Sequence, residues 1–149
     1  MSAADDPLAP HSLTPAELQE VLAVARAGVP FLVLRDGEGS LRLHSLGLED
    51  GTHTIGRRPQ ADLQVGWDPE VSGLHAELQV SGGEATIVDD GLSRNGTFVD
   101  GRRVNGRHRL RDGDRVRVGQ TVIVLRLPDA PAIQETVTAG ETRVGADSD

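Results

Sequence analysis

The feature of this chain that most constrains its fold is a series of short apolar runs, each followed by a turn, that extends from Phe31 to Leu127. The runs are rich in Val, Ile and Leu and too short for most helices, which is typical of strands. Glycine recurs between them, at Gly51, Gly66, Gly82, Gly83, Gly91, Gly101, Gly106, Gly113 and Gly119. Many short strands punctuated in this way favour an all-β sandwich over an alternating α/β fold.

We predict about eleven short strands in this sandwich and place the domain at residues 29–128. The first two strands flank Asp36-Gly37-Glu38-Gly39, which is a hairpin signal. The predicted strands are Phe31–Arg35, Leu41–Leu46, Thr52–Gly56, Ala61–Val65, Leu74–Val80, Glu84–Val88, Thr97–Val99, Val104, Arg109–Leu110, Arg115–Val118 and Val122–Leu127.

The segment before the sandwich predicts one helix. Residues 1–13 are polar and contain proline, so we predict a mobile N-terminal segment. Residues 14–28 read as a helix, with Thr14 as N-cap, Pro15 in the first turn and Glu17 completing a capping box. Gly28 ends the apolar periodicity.

The segment after the sandwich lacks periodicity. Residues 129–149 are rich in Ala, Thr, Glu and Gly, and we predict a disordered acidic tail. Its threonines Thr136, Thr138 and Thr142 are candidate phosphorylation sites, because a kinase needs an accessible segment.

Composition excludes several classes of protein. The chain of 149 residues has no cysteine, which rules out disulfides, thiolate zinc sites and cysteine nucleophiles. No apolar run approaches the roughly 20 residues of a membrane span, and the acidic pair Asp5-Asp6 is unlike a secretory leader. We therefore predict a cytoplasmic protein that does not bind a membrane.

The net charge of −8 lies mainly outside the sandwich. Residues 29–128 hold thirteen arginines and fourteen acidic residues, so this region is close to neutral. A near-neutral domain does not attract polyanions over long distances. Any anion that binds here must be bound by a local group of side chains.

Three short motifs fall on turns between the predicted strands: Gly56-Arg57, Ser72-Gly73-Leu74-His75 and Ser93-Arg94-Asn95-Gly96-Thr97. An arginine presents a planar fork of donors to phosphate oxygens. A serine hydroxyl adds a neutral donor, and an asparagine carboxamide can both donate to and accept from an extended peptide. Together these residue types predict a surface that binds a phosphorylated side chain and its flanking backbone.

The order of these motifs resembles the forkhead-associated (FHA) domain, a family of phosphothreonine-peptide binders, over roughly Phe31 to Leu127. The resemblance implies that Arg57 grips the phosphate, that Ser72 adds a hydroxyl donor and that Asn95 holds the peptide main chain. It also implies backbone-shaping roles for the glycines and a scaffold role for the histidine, which here are Gly56, Gly96 and His75.

Two positions depart from the family pattern. Gly73 stands where FHA domains often carry a polar or basic residue, so only its backbone N–H is available to a ligand. Arg94 stands where Thr or Ser is common; it either supplements the phosphate grip or reaches acidic groups of the peptide. Arg58 is a further candidate for phosphate binding. Acidic residues before Ser72, including Asp68, predict a rim that disfavours acidic peptides.

The resemblance implies a non-catalytic adaptor in Ser/Thr-kinase signalling, with a phosphothreonine protein and a Ser/Thr kinase as partners and with no cofactor or metal. The alternative is a nucleic-acid-associated protein that uses a basic cluster, namely Arg102, Arg103, Arg107, Arg109, Arg111, Arg115 and Arg117. Interrupting acidic residues and the lack of aromatic residues for stacking weigh against it. A calcium loop starting at Asp89 is rejected because Arg94 stands where the sharp-turn glycine is needed.

Overall fold

The computed structural model describes residues 13–47 and 49–128. Within these residues it has one helix, α1 (Pro15–Ala25), followed by eleven strands. The strands are β1 (Phe31–Arg35), β2 (Leu41–Ser45), β3 (Gly51–Gly56), β4 (Leu63–Gln64), β5 (Ala76–Ser81), β6 (Glu84–Asp89), β7 (Thr97–Val99), β8 (Arg102–Arg103), β9 (Gly106–Arg109), β10 (Arg115–Val118) and β11 (Thr121–Arg126).

The strands form two sheets. The six-stranded sheet has the order β2-β1-β11-β10-β7-β8, and the five-stranded sheet has the order β4-β3-β5-β6-β9. Neighbouring strands run antiparallel except β3 and β4, which pair in parallel. The predicted all-β sandwich of about eleven strands with a preceding helix is confirmed.

The main core lies between the sheets and consists of aliphatic side chains. Alternate residues of most strands point inward, as the two-residue period of a strand requires, whereas the edge strands β2, β8 and β9 contribute no buried residue. The largest of these buried side chains are Leu32, Leu34, Ile55, Leu78, Ile87, Ile123 and Leu125. The chain has only two Phe and one Trp, and aliphatic packing is therefore what joins the sheets.

Helix α1 covers the outer face of β2, β1 and β11 in the six-stranded sheet. Val21 is buried there against Phe31, Val33, Val122 and Val124, so β1 and β11 are buried on both faces. The predicted capping box is present: the Thr14 side chain accepts a hydrogen bond from the Glu17 N–H, and Glu17 accepts one from the Thr14 N–H. No helix within the described residues is long and apolar enough to cross a membrane.

Some element bounds differ from the prediction. The helix ends at Ala25, and its last turn leads to Gly28, which has a positive φ of 73°. Val104 was predicted as a strand of its own, but it follows β8, and its N–H donates to the Thr97 carbonyl. The reason is that apolar residues mark the core, whereas β8 is an exposed edge strand made of two arginines.

Candidate functional site

Three loops meet at one end of the sandwich, and we call this region the loop end. It comprises residues 57–62 after β3, residues 65–75 after β4 and residues 90–96 after β6. The loops are joined by direct hydrogen bonds between residues far apart in the chain. The three sequence motifs therefore come together here.

His75 is the central brace of the loop end. Its side chain is buried, its Nδ1 accepts a hydrogen bond from the Ser72 N–H at 3.0 Å, and its Nε2 donates to the Gly96 carbonyl at 2.9 Å. This pair of bonds requires the neutral ring with the proton on Nε2. Both nitrogens are occupied within the domain, so His75 links two loops and has no free polar atom for a ligand.

Gly56 allows two of these loops to approach closely. A Cβ at this position would lie 2.2 Å from the carbonyl oxygen of Gly73, which no side chain can accommodate. The approach lets the Arg57 N–H donate to the Ser72 carbonyl at 3.0 Å and the Arg58 N–H to the Gly73 carbonyl at 3.2 Å. Gly56 thus aligns the arginine-bearing loop beside the serine-bearing loop.

Arg57 is oriented by one backbone contact. Its Nε donates to the Val71 carbonyl at 3.0 Å, which fixes the direction of the side chain. Within residues 13–47 and 49–128 its guanidinium forms no ion pair with a carboxylate. The terminal N–H groups therefore remain available to an anion from outside.

Ser72 and Asn95 tie the 90–96 loop to the 65–75 loop. The Ser72 hydroxyl oxygen accepts from the Arg94 N–H at 2.8 Å, which leaves its own proton free to be donated. The Asn95 side-chain amide donates to the Glu70 carbonyl at 2.8 Å. Asn95-Gly96 is a common hairpin signal, but here it lies between β6 and β7, which belong to different sheets.

Further arginines surround this group. The Arg58 side chain packs over Gly73, where an added Cβ would meet its Nε at 2.5 Å. Gly96 has a φ of 86° and lies under the Arg103 side chain. A Cβ added at Gly96 would lie 3.0 Å from the Arg103 Nε. Arg58 and Arg94 are exposed. Arg103 is the one member of the basic cluster that these contacts bring to the loop end.

Two buried carboxylates support the loops, and sequence reasoning missed both roles. Asp89 accepts hydrogen bonds from the hydroxyls of Ser93 and Thr97 and from the Gly91 N–H. Burial raises the pKa of Asp89, but these hydrogen bonds lower it by more, so the pKa lies below its ordinary value. The spacing Asp-x-Gly is typical of a side-chain-to-backbone turn and could have indicated this brace.

Asp68 was predicted on an acidic rim, and this prediction is wrong. Its side chain is buried and accepts hydrogen bonds from neutral donors on two loops. Of the acidic residues in this loop, Glu70 is exposed, and its carboxylate accepts from the Gln120 side-chain amide at 3.0 Å. The rim therefore carries one exposed carboxylate from this loop.

The remaining predicted site residues lie elsewhere. The basic cluster is divided between the sheets, with Arg107 and Arg109 on β9 and Arg115 and Arg117 on β10. Thr136, Thr138 and Thr142 lie outside the described residues, as does the predicted N-terminal segment up to residue 12. Among the residues that the structure describes, no three acidic or histidine side chains are placed to hold a metal ion.

Comparisons with known proteins agree on one family. The FHA domain model matches residues 53–119. The chain is similar to the oxoglutarate dehydrogenase inhibitor of Corynebacterium efficiens, with 38% identity over 77 residues that make up 52% of each chain. It is also similar to the glycogen accumulation regulator GarA of Mycolicibacterium smegmatis, with 39% identity over 77 residues, which are 52% of this chain and 47% of that protein. The chain spans about half the length of the curated relatives it matches.

A solved structure covers the sandwich more fully. It is an FHA domain studied for its phosphothreonine-dependent interactions, and it is 35% identical to this chain with a TM-score of 0.57. The match covers 65% of this chain and 94% of the solved one. The described sandwich and this domain therefore share both sequence and fold.

Proposed function

The chain belongs to the FHA domain family, and on that premise we propose that its loop end binds phosphothreonine-containing peptides. In this proposal Arg57 binds the phosphate, and the Ser72 hydroxyl donates a hydrogen bond to the same group. Asn95 holds the peptide backbone, and Gly73, Arg58 and Arg94 supply further donors around it. The protein acts as a non-catalytic adaptor that a Ser/Thr kinase controls by phosphorylating the partner.

The observation that carries this proposal is the state of Arg57. Its Nε is bound to the Val71 carbonyl, while the rest of the guanidinium has no carboxylate partner in the described part of the chain. A phosphorylated side chain brings a charge of about −1.5 to −2 at neutral pH. A cation that is already oriented and not neutralised binds such a group without first breaking an internal ion pair.

The proposed partners follow from the same site and from the relatives. Two curated relatives are named as an inhibitor and as a regulator, which agrees with action through binding. The solved relative is described by its phosphothreonine-dependent interactions. We therefore propose a phosphothreonine protein as ligand and a Ser/Thr kinase as the enzyme that creates it.

A degenerate peptide library with one fixed phosphothreonine tests the proposal. The domain should capture the phosphothreonine library and leave the matching threonine library unbound, and Arg57→Ala should capture neither. Equal capture of both libraries would refute phosphothreonine binding. A shallow dependence of affinity on salt is expected for one phosphate, whereas a nucleic-acid surface would show a steep one.

A further inference from the structure

We infer that Asp68 is a positioning residue for the phosphopeptide site, because its buried carboxylate joins the 65–75 loop to the turn between β10 and β11 and so fixes the carbonyl groups that orient Arg57 and Asn95. This inference rests on the proposed function. Asp68 itself does not face the ligand, since the residue is only 4% exposed.

Each oxygen of the Asp68 carboxylate has a defined partner. One oxygen accepts from the Glu70 N–H at 3.0 Å, within the same loop. The other accepts from the Gln120 N–H and from the Thr121 hydroxyl, each at 2.8 Å, across 52 and 53 residues of sequence. The carboxylate therefore makes three hydrogen bonds that connect the loop to a different part of the chain.

The turn that receives Asp68 is shaped to fit it. Gly119 has a φ of 59°, and a Cβ there would lie 2.8 Å from a carboxylate oxygen of Asp68. Thr121 makes a second contact, since its hydroxyl oxygen accepts a hydrogen bond from the Trp67 indole at 3.3 Å. Two successive residues of the loop are thus held by one threonine.

The residues that directly follow Asp68 connect it to the proposed binding site. The Val71 N–H donates to the Asp68 carbonyl at 3.1 Å, which closes a tight turn. The Glu70 carbonyl in that turn accepts from the Asn95 side chain at 2.8 Å, and the Val71 carbonyl accepts from Arg57 Nε at 3.0 Å. The two carbonyls that orient the proposed ligand-binding side chains therefore lie two and three residues after Asp68.

The three hydrogen bonds require a carboxylate at position 68, and an amide cannot replace it. Asp68→Asn keeps the size of the side chain but turns one acceptor oxygen into an NH₂ donor. Since all three partners of Asp68 are donors, that NH₂ group must face an N–H or O–H group in either orientation. The loop must then move away from the turn or leave a buried donor unpaired.

The experiment compares Asp68→Asn with Asp114→Asn as a matched control. Asp114 also accepts a backbone hydrogen bond, from the Arg111 N–H at 2.8 Å, but it precedes β10 at the end of that strand away from the loop end. We expect Asp68→Asn to weaken a phosphothreonine peptide about fivefold or more, as loss of one hydrogen bond predicts, and Asp114→Asn to bind like the wild type.

A second measurement, by NMR without ligand, separates positioning from stability. In Asp68→Asn the signals of the Arg57 Nε–H and of the Asn95 side-chain amide should shift, while the control leaves them in place. A purely structural Asp68 would lower the melting temperature and leave these two signals and the affinity of the folded protein unchanged, which would overturn the inference.

If Asp68→Asn does not fold, Thr121→Val decides the question by the same two measurements. It removes one donor to Asp68 together with the acceptor of the Trp67 indole, it preserves the shape of the side chain, and it should shift the same signals in the same direction. Unmoved signals in a folded Thr121→Val would also overturn the inference. If the wild type binds no phosphothreonine peptide, the proposed function fails, and the NMR arm still shows whether Asp68 orients Arg57 and Asn95.

Discussion

The loop end and the helix-covered face of the six-stranded sheet each orient an arginine, but in different ways. On the helix-covered face, Arg35 donates from both terminal nitrogens to the Glu17 carboxylate, at 2.9 and 3.0 Å. At the loop end, Arg57 is held through Nε by a backbone carbonyl. The first arginine is neutralised inside the molecule, whereas the second is fixed in direction and keeps its charge.

The difference shows how a folded domain can keep a cation ready for a ligand. Carboxylates are present near the loop end, but Asp68 and Asp89 are buried and accept hydrogen bonds from neutral donors. Neither carboxylate is paired with Arg57, Arg58 or Arg94 in the described part of the chain. These two acidic side chains stabilise the loops from inside, and the positive charge of the three arginines stays on the surface.

The largest expected effect is on Arg57. Arg57→Ala removes two or more hydrogen bonds to a charged phosphate, each worth about 1.5–3 kcal/mol, so the affinity for a phosphothreonine peptide should fall about a hundredfold or more. Arg35→Ala should lower the melting temperature and leave the affinity unchanged. Calorimetry and thermal melting of both variants check this, and equal affinities for wild type and Arg57→Ala would contradict the comparison.

The next effect is on the rigidity of the loop end. His75→Ala leaves the Ser72 N–H and the Gly96 carbonyl without their partner, at a cost of about 2–4 kcal/mol in the free energy of unfolding. Chemical denaturation measures this cost. His108 is exposed, and His108→Ala should change the stability by less than about 0.5 kcal/mol. Similar stability of the two variants would mean that His75 does not brace the loops.

Asp89 predicts a dependence of stability on pH. Its pKa is lowered in the folded state, so its stabilising contribution is complete above its ordinary pKa of 3.8 and is lost as the pH falls through the folded value. Asp89→Asn should therefore lower the free energy of unfolding by about 1–3 kcal/mol at pH 7. The difference from wild type should shrink when denaturation is repeated below pH 3.8. If the difference in the free energy of unfolding is independent of pH, the charge of the Asp89 carboxylate does not stabilise the loops.

Ser72→Ala and Asn95→Ala should weaken the phosphothreonine peptide less than Arg57→Ala does. Each removes neutral hydrogen-bonding groups worth about 1 kcal/mol, so a loss of about fivefold is expected. Ser72→Ala should leave the weak binding of the unphosphorylated peptide unchanged. Calorimetry is again the measurement. If Asn95→Ala melts at a lower temperature but binds the peptide normally, Asn95 serves only to hold the 65–75 loop through the Glu70 carbonyl.

The smallest effect on stability is expected for Glu17, the carboxylate that neutralises Arg35. Hydrogen bonds from Arg35 and from the Thr14 N–H lower the pKa of Glu17 from 4.5 to about 2. The contribution of Glu17 to stability is therefore present above pH 4.5 and is lost as the pH falls towards 2. Glu17→Gln should melt slightly below the wild type at pH 7, and the two should converge near pH 2. Its affinity for a phosphothreonine peptide should equal that of the wild type.

The sequence was most informative where structure depends on neighbouring residues. The Thr14 capping box, the hairpin at Asp36-Gly37-Glu38-Gly39 and most strands were predicted correctly, because capping, turn chemistry and alternation are local. The three motifs could be grouped because their order resembles a known family. Their contacts could not be derived from spacing alone.

Where the sequence reasoning misjudged a residue or allowed two interpretations of a motif, the answer depends on contacts between distant parts of the chain. Asp68 looks like a surface acid until the fold brings Gln120 and Thr121 to it. Asn95-Gly96 looks like a hairpin until the chain passes from one sheet to the other between β6 and β7. In each case a local pattern fits two environments, and the topology selects one.

The contact between Trp67 and Thr121 has an optical consequence. Trp67 is the single tryptophan among 149 residues, and the chain has no tyrosine, so the intrinsic fluorescence of the protein comes from this one indole. The indole is half-buried, donates to the Thr121 hydroxyl and adjoins Asp68 at the edge of the loop end. Emission from the unlabelled protein therefore reports on the loop that orients Arg57, and ligand titration and local loosening of that loop can be followed with the same natural chromophore.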